Sequence, residues 1–198
     1  GESITYRLGA PGRHLVQNTL AVLAAVKLAG ADLTKAAGAL EAVTPQAGRG
    51  QRFVIQTKAG PAALIDESYN ANPASMRAAL STLGLAPHSA YKRRVAVLGD
   101  MLELGVEGPR LHRELAEAVD AAGVDVVFAC GKLMASLFQA LPPGRQGGYA
   151  KTSGELEPKL LEGVRPGDIV MIKGSLGSRM APLVEALKRR FESESISA

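Results

Sequence analysis

The sequence predicts an α/β protein: a mostly parallel six-stranded sheet with helices on both faces, preceded by a purely helical stretch. Two observations carry this reading. From Phe53 onward, short apolar runs bounded by turn residues alternate with segments of helical period, the pattern of a parallel sheet. Before Thr44 the apolar residues recur only at helical spacing.

Val16, Leu20, Leu23, Ala24 and Leu28 place a stripe on one face of a first helix, which Gly30 stops. Leu33, Ala36, Ala37 and Leu40 mark a shorter second helix. The breaker-rich run Thr44-Pro-Gln-Ala-Gly-Arg-Gly50 then reads as an interdomain linker, dividing residues 1–45 from 46–198. Strands are expected at Phe53–Gln56, Ala62–Ile65, Val95–Leu98, Val126–Ala129, weakly near Tyr149, and at Ile169–Ile172. Thr57–Pro61 is short enough for a hairpin, so the first strand should be an antiparallel edge. Helices are expected around Met76/Leu80/Leu83, Leu111/Leu115/Val119, Met134/Leu137/Leu141, Leu156/Leu160 and Met180/Leu183/Leu187. The polar tail from Glu192 should fray. The opening helices cannot build a core of their own. They read as the end of a domain whose beginning is missing, which suits a start without Met.

Composition narrows the function classes. The net charge is +4, with basic clusters at Lys92-Arg93-Arg94 and Lys188-Arg189-Arg190. Aromatics are few and not interleaved with them, so solvated basic faces are expected rather than a nucleic-acid surface. The single cysteine, Cys130, excludes an internal disulfide and reads as a buried reduced thiol of a cytoplasmic protein. No apolar run approaches the ~18 residues of a membrane span, and the start lacks the charged head and apolar stretch of a signal peptide.

The richest stretch is Leu64-Ile-Asp-Glu-Ser-Tyr-Asn-Ala-Asn-Pro73. A buried strand ends in Asp66, and Asn72-Pro73 opens a helix, with Asn as cap and Pro at the first helical position. Asp66, Tyr69, Asn70 and Asn72 thus gather at the carboxyl end of a strand, where open α/β sheets bind ligands. Three further strands end in Gly99-Asp100, Gly131-Lys132 and Lys173-Gly174-Ser175. These are either one ligand edge or ordinary turn chemistry. Lys173-Gly-Ser-Leu-Gly-Ser-Arg179 could hold a carboxylate or phosphate, or be a plain helix cap. The phosphate-loop pattern G-x-x-x-x-G-K-[ST] occurs nowhere. Arg49, between two glycines, could reach a phosphate or lie solvated. His14, His88 and His112 share no metal-ligand spacing with one another or with Cys130, so no metal site is expected. His112 is expected at the surface, and Glu103 as a structural loop acid. On these residues alone two readings stand: a stand-alone non-catalytic α/β module for a small anionic ligand, and a scaffold that docks a partner on its first helices.

Gly12-Arg13-His14 with Asn18, Gly48-Arg49, Asp66–Pro73, Gly99-Asp-Met-Leu-Glu-Leu-Gly105 and Lys173-Gly-Ser175 occur in this order across nearly the whole chain. Together they resemble the Mur ligases of peptidoglycan synthesis. Within that family they best match the branch adding D-alanyl-D-alanine to UDP-N-acetylmuramoyl-tripeptide. The resemblance implies a Rossmann-like C-terminal domain, with residues 1–45 as the helical tail of a central ATPase domain. It implies ATP and Mg2+, both bound mainly by the absent central domain, so the fragment itself should be inactive. The intact enzyme phosphorylates a carboxylate, and the incoming amine attacks the acyl phosphate. By the same resemblance, Arg49 is catalytic and approaches the ATP phosphates as the linker hinges shut. Asp66 binds the ribose, and Tyr69, Asn70 and Asn72 shape the nucleotide side. His14 and Asn18 lie near the adenine, although Leu15 stands where the family commonly has Asn. Asp100, Lys173 and Ser175 fall on the D-Ala-D-Ala side. Partners would be small molecules, the state monomeric, with no nucleic acid and no membrane span.

Overall fold

The computed structural model describes residues 3–10, 13–44 and 46–195. Gly12, Pro45 and the side chain of His14 lie outside the described residues. The chain divides into two units, the first ending at Gln46 and the second beginning at Ala47.

The first unit holds α1 (Arg13–Leu28), α2 (Leu33–Ala39) and a 3-10 turn at Leu40–Ala42. Asp32 caps α2 by accepting from the Lys35 N–H at 3.0 Å. Leu23, Ala37 and Leu40 form a small core with Ile4, Tyr6, Leu8, Leu33 and Ala36 packed against it. Of the predicted stripe on α1, Leu23 is buried, whereas Val16, Leu20 and Leu28 are exposed. Tyr6 and Thr19 share a 2.6 Å hydrogen bond that turns Thr19 inward instead. Helix α1 is apolar on more than one side, and periodicity alone does not choose the side that packs.

In the second unit, β1 (Gln51–Thr57) and β2 (Gly60–Glu67) form the expected antiparallel hairpin. Then follow α3 (Pro73–Gly84), β3 (Arg93–Gly99), α4 (Gly108–Arg113), α5 (Leu115–Ala121), β4 (Val126–Cys130) and α6 (Ala135–Ala140). The chain continues through β5 (Gln146–Ala150), α7 (Ser153–Gly163), β6 (Asp168–Lys173), α8 (Ala181–Arg190) and β7 (Glu192–Ser195). The strand order is β5-β4-β3-β6-β2-β1-β7. Strands β2 to β6 run parallel, while β1 and β7 are antiparallel additions. All six expected strands are present. The tail expected to fray instead adds a seventh, pairing Glu192 with Gln56 and Ser195 with Phe53, so β1 is not the edge. That pairing uses backbone groups alone and needs no apolar side chain. The single helix expected around Leu115 is observed as α4 and α5, meeting at Glu114.

Side chains alternate across the sheet and are buried on both faces, as parallel sheets require. Ile65, Leu98, Val127 and Met171 pack under the α3 to α6 side with Met76, Leu80, Leu83, Leu115 and Leu137. Leu64, Val97, Phe128, Val170 and Ile172 face the α7 and α8 side with Leu156, Leu160, Leu183 and Leu187. Each such leucine contributes roughly 1.5–3 kcal/mol by leaving water. No helix among the described residues is long and apolar enough to cross a membrane.

The basic run Lys92–Arg94 is not the solvated face the sequence suggests. Arg93 forms a bidentate pair with Asp168 at 2.8 and 2.7 Å and donates to the Gly163 carbonyl at 2.9 Å. Arg94 donates to the Ala86 carbonyl through Nε at 3.1 Å and Nη2 at 2.7 Å. Both guanidiniums pin loops at the amino end of the sheet, and only Lys92 of the three is exposed.

Asp168, fully buried, also accepts from the Arg165 N–H at 2.7 Å. Replacing it with Ala strands the Arg93 guanidinium and the Arg165 N–H. Urea denaturation of Asp168→Ala is expected to show a loss of about 3 kcal/mol.

Candidate functional site

Parallel pairing sets the carboxyl ends of β2, β3, β4 and β6 on one edge. Asp66 lies opposite Ile172, Leu98 opposite Lys173, and Gly99 opposite Cys130. Asp66, Asp100, Lys173 and Ser175 are therefore brought to a common rim. What the sequence leaves open is the direction in which their side chains point.

Asp66 points inward. It is 7% exposed and already accepts three hydrogen bonds. Oδ2 takes the Gly48 N–H at 3.0 Å; Oδ1 takes the Ser68 N–H at 3.0 Å and the Ser68 hydroxyl at 2.6 Å. The expectation of a carboxylate open to a ribose meets a clasp that ties the linker end to the β2–α3 loop. Two backbone bonds, Gly50 N–H to the Asp66 carbonyl at 2.7 Å and Tyr69 N–H to the Gly48 carbonyl at 3.2 Å, close the clasp. Gly48 has φ +73°, and a Cβ there would stand 2.8 Å from the Tyr69 Cβ, so only glycine fits this crossing. The result presents Arg49 to solvent, its guanidinium 4.5 Å above the Tyr69 ring.

Lys173 also turns inward. At 3% exposed, it donates to the Asn70 carbonyl at 2.9 Å and pairs with Glu67 at 3.4 Å. Burial holds its pKa below the ordinary lysine value, Glu67 opposes that shift, and the Arg49 charge adds to it. The anion cradle expected over Lys173–Arg179 is thus split: Lys173 is enclosed while Arg179 is exposed at φ 54°. A 3-10 turn at Leu176–Ser178 precedes α8, whose N-cap Met180 makes no side-chain cap bond. Asn72 accepts from Ser75 N–H at 2.8 Å in a capping box that starts α3, as its position before Pro73 implies. Asn70 and Tyr69 remain exposed beside it.

Asp100 and Ser175 knit the rest of the rim. The Asp100 carboxylate accepts from Leu133 N–H at 3.2 Å and Met134 N–H at 2.8 Å. A Cβ on Gly131 would strike that carboxylate at 2.3 Å, so Gly131, at φ +117°, lets Asp100 in. Ser175 Oγ accepts from Leu102 N–H at 3.1 Å and donates to the Ala71 carbonyl at 3.2 Å. Glu103 is exposed in the left-handed region at φ 63°. Cys130 is buried as expected, and burial pushes its thiol up to about 11, with Asp100 and Glu155 adding to the shift.

Two residues of this edge escape the sequence reading. Glu67 is the acid that holds Lys173, its pairing signalled only by adjacency to Asp66. His112 is fully buried rather than at the surface. Its spacing from Leu115 and Val119 continues an apolar stripe, which is the signal that marks it as inward. Asn18 is exposed on α1, in the other unit. Among the described residues no group of three His, Cys, Asp or Glu side chains could hold a metal ion.

Known proteins resemble this chain over most of its length. The family described as "Mur ligase, glutamate ligase domain" matches residues 48–176. The UDP-N-acetylmuramoyl-tripeptide–D-alanyl-D-alanine ligase of Escherichia coli (strain K12) is 37% identical over 187 residues, covering 94% of this chain and 39% of that protein. The ligase of the same name from Bacillus subtilis (strain 168) is 30% identical over 188 residues, 92% of this chain and 40% of its own length. A crystal structure of MurF from Acinetobacter baumannii superposes with a TM-score of 0.78 at 28% identity, covering 93% of this chain and 40% of that one. The chain thus spans about two fifths of the length of the relatives it matches.

The clasp makes a testable claim about Asp66. In Asp66→Asn an amide N–H would face a backbone N–H, leaving a buried donor unmet at a loss of about 1–3 kcal/mol. Hydrogen exchange at Gly48 and Ser68 should accelerate far more than at the β3–β6 ladder; unchanged protection at both amides would contradict the clasp.

Proposed function

The chain belongs to the Mur ligase family, and we propose that it is the C-terminal part of an ATP-dependent amide ligase that joins D-alanyl-D-alanine to UDP-N-acetylmuramoyl-tripeptide in peptidoglycan synthesis. The observation that carries this reading is the 37% identity to the Escherichia coli ligase of that name across 94% of this chain. The rim supports it, because it offers an exposed cation, Arg49, on a glycine-flanked loop stacked on Tyr69.

In this reading Arg49 is the catalytic group of this chain and neutralises phosphate charge during the activation of the carboxylate. ATP, when bound by the whole protein, supplies the phosphoryl group. ATP and Mg2+ are held mainly by sequence outside this chain, so the chain alone is inactive. Tyr69 supports the guanidinium from below. Asn70 and Asn72 shape the nucleotide side, and His14 and Asn18 belong to the motif that serves the adenine. Asp66 acts by fixing the loop that carries Arg49, in place of a direct ribose contact. Asp100, Lys173 and Ser175 form the floor on the D-Ala-D-Ala side, positioned by bonds to backbone rather than left free. The linker before Gly50 hinges so that Arg49 reaches the phosphates and water is shut out of the reacting centre. The enzyme works as a cytoplasmic monomer on small molecules.

The test is an amide-ligase assay of the complete protein with D-Ala-D-Ala, comparing wild type with Arg49→Ala. The expected result is a loss of about 100-fold or more in kcat with an unchanged melting temperature. Ligation at the wild-type rate by the variant would remove Arg49 from the mechanism, and a wild type that ligates nothing would remove the function. Calorimetry of ATP with the chain alone should show no tight binding.

A further inference from the structure

His112 has no part in the roles assigned so far, yet it is fully buried and both its ring nitrogens are engaged. Nε2 lies 2.9 Å from the Met101 backbone nitrogen, and Nδ1 lies 2.6 Å from the Gly108 carbonyl. A backbone amide can only donate, so Nε2 must be bare and the proton must sit on Nδ1, from which it goes to the Gly108 oxygen. The ring is a neutral bridge between the first turn of α4 and the residue after Asp100. Met101 is itself 0% exposed, so its N–H has no access to bulk water.

Met101 lies between the two arms of the network that joins the rim. On one side, the Asp100 carbonyl accepts from Ser175 N–H at 3.1 Å while its carboxylate holds the loop after β4. On the other, Leu102 N–H donates to Ser175 Oγ, which donates on to the Ala71 carbonyl in the loop after β2. Four strand-end loops thus share one set of bonds, and His112 anchors its centre to a helix.

We propose that His112 is a positioning residue of the ligase: through Met101 it holds the Asp100–Leu102 turn, and with it Ser175 and the β2–α3 loop, in the arrangement that receives the amine substrate. This rests on the function proposed above and adds to it a residue that touches no substrate. The bridge exists only while the ring is neutral, since a proton on Nε2 would face the Met101 N–H donor to donor. Burial lowers the His112 pKa below the ordinary histidine value; the Gly108 carbonyl from its own helix and Asp100, with Oδ1 4.0 Å from Nε2, oppose that shift. From α5 and α6 no charged group acts on the ring among the described residues. A depressed value means that the stabilisation is complete above the ordinary histidine range and is lost as pH falls through the depressed value.

The experiment compares wild type, His112→Phe and His112→Gln in the complete protein, measuring kcat and KM for D-Ala-D-Ala and for ATP across pH. Phenylalanine fills the space without a bond; glutamine can accept from the Met101 N–H and does not titrate. His112→Phe should lose about ten-fold or more in kcat/KM, mainly through KM for D-Ala-D-Ala, with KM for ATP unchanged. His112→Gln should recover most of that loss and lack the acidic limb of the wild-type profile. In the 198-residue chain, imidazole 15N shifts at neutral pH should report a bare Nε2, and the Met101 amide should exchange slowly. Wild-type kcat/KM in His112→Phe, an acidic limb retained in His112→Gln, a charged or reversed ring, or a fast Met101 amide would each overturn the proposal. If His112→Phe does not fold, the glutamine variant and the ring shifts decide. A wild type without ligase activity would refute the functional reading, and the ring and amide measurements would then judge the bridge alone.

Discussion

Where a parallel sheet ends, backbone N–H groups lose their ladder partners just where chain segments must turn and approach one another. Buried without a partner, each such group destabilises the fold, so the edge must supply acceptors. Here the acceptors are side chains: Asp66 for Gly48 and Ser68, Asp100 for Leu133 and Met134, Ser175 for Leu102, and His112 for Met101. The candidate site is the surface left once these obligations are met. That explains why Asp66, Asp100 and Ser175 turn inward while Arg49, Asn70, Glu103 and Arg179 face solvent.

The electrostatics of the rim follow from the same arrangement. Lys173 is enclosed, and its charge is met by Glu67 and the Asn70 carbonyl. Arg49 sits near enough to act on Lys173, and its guanidinium rests on an aromatic ring. A second cation beside a buried lysine is a poised, unneutralised field, which favours an incoming anion without a preformed phosphate cradle. Arginine suits this position better than lysine, because its charge persists when partly desolvated and its planar group can stack.

How much of this was legible before the fold was known differs from element to element. The strands declared themselves because apolar runs bounded by turns have few other uses, and the Asn72-Pro73 cap behaved as its chemistry requires. Of the motifs behind the family resemblance, Gly48-Arg49, Asp66–Pro73, Gly99–Gly105 and Lys173–Ser175 lie in the second unit, with the strand-end motifs on one edge of its sheet. The inward direction of Asp66 and Lys173 was not legible, since a carboxylate or ammonium at a strand end can serve a ligand or its own backbone with the same sequence. The start of the expected helix, where the sequence puts His112, suggests a surface position, but its place in the stripe with Leu115 and Val119 turns it inward. On α1 the reverse held: several apolar faces competed, and composition could not say which one Leu23 and Thr19 would define.

The last strand has a consequence of its own. Strand β7 is polar and short, yet it covers the outer hydrogen-bonding edge of β1 from Gln56 to Phe53. Exposed edges of that kind recruit strands from neighbouring molecules. Trimming the chain at Phe191 would uncover a β1 template, so colloidal behaviour at high concentration depends on the backbone pairing of four residues.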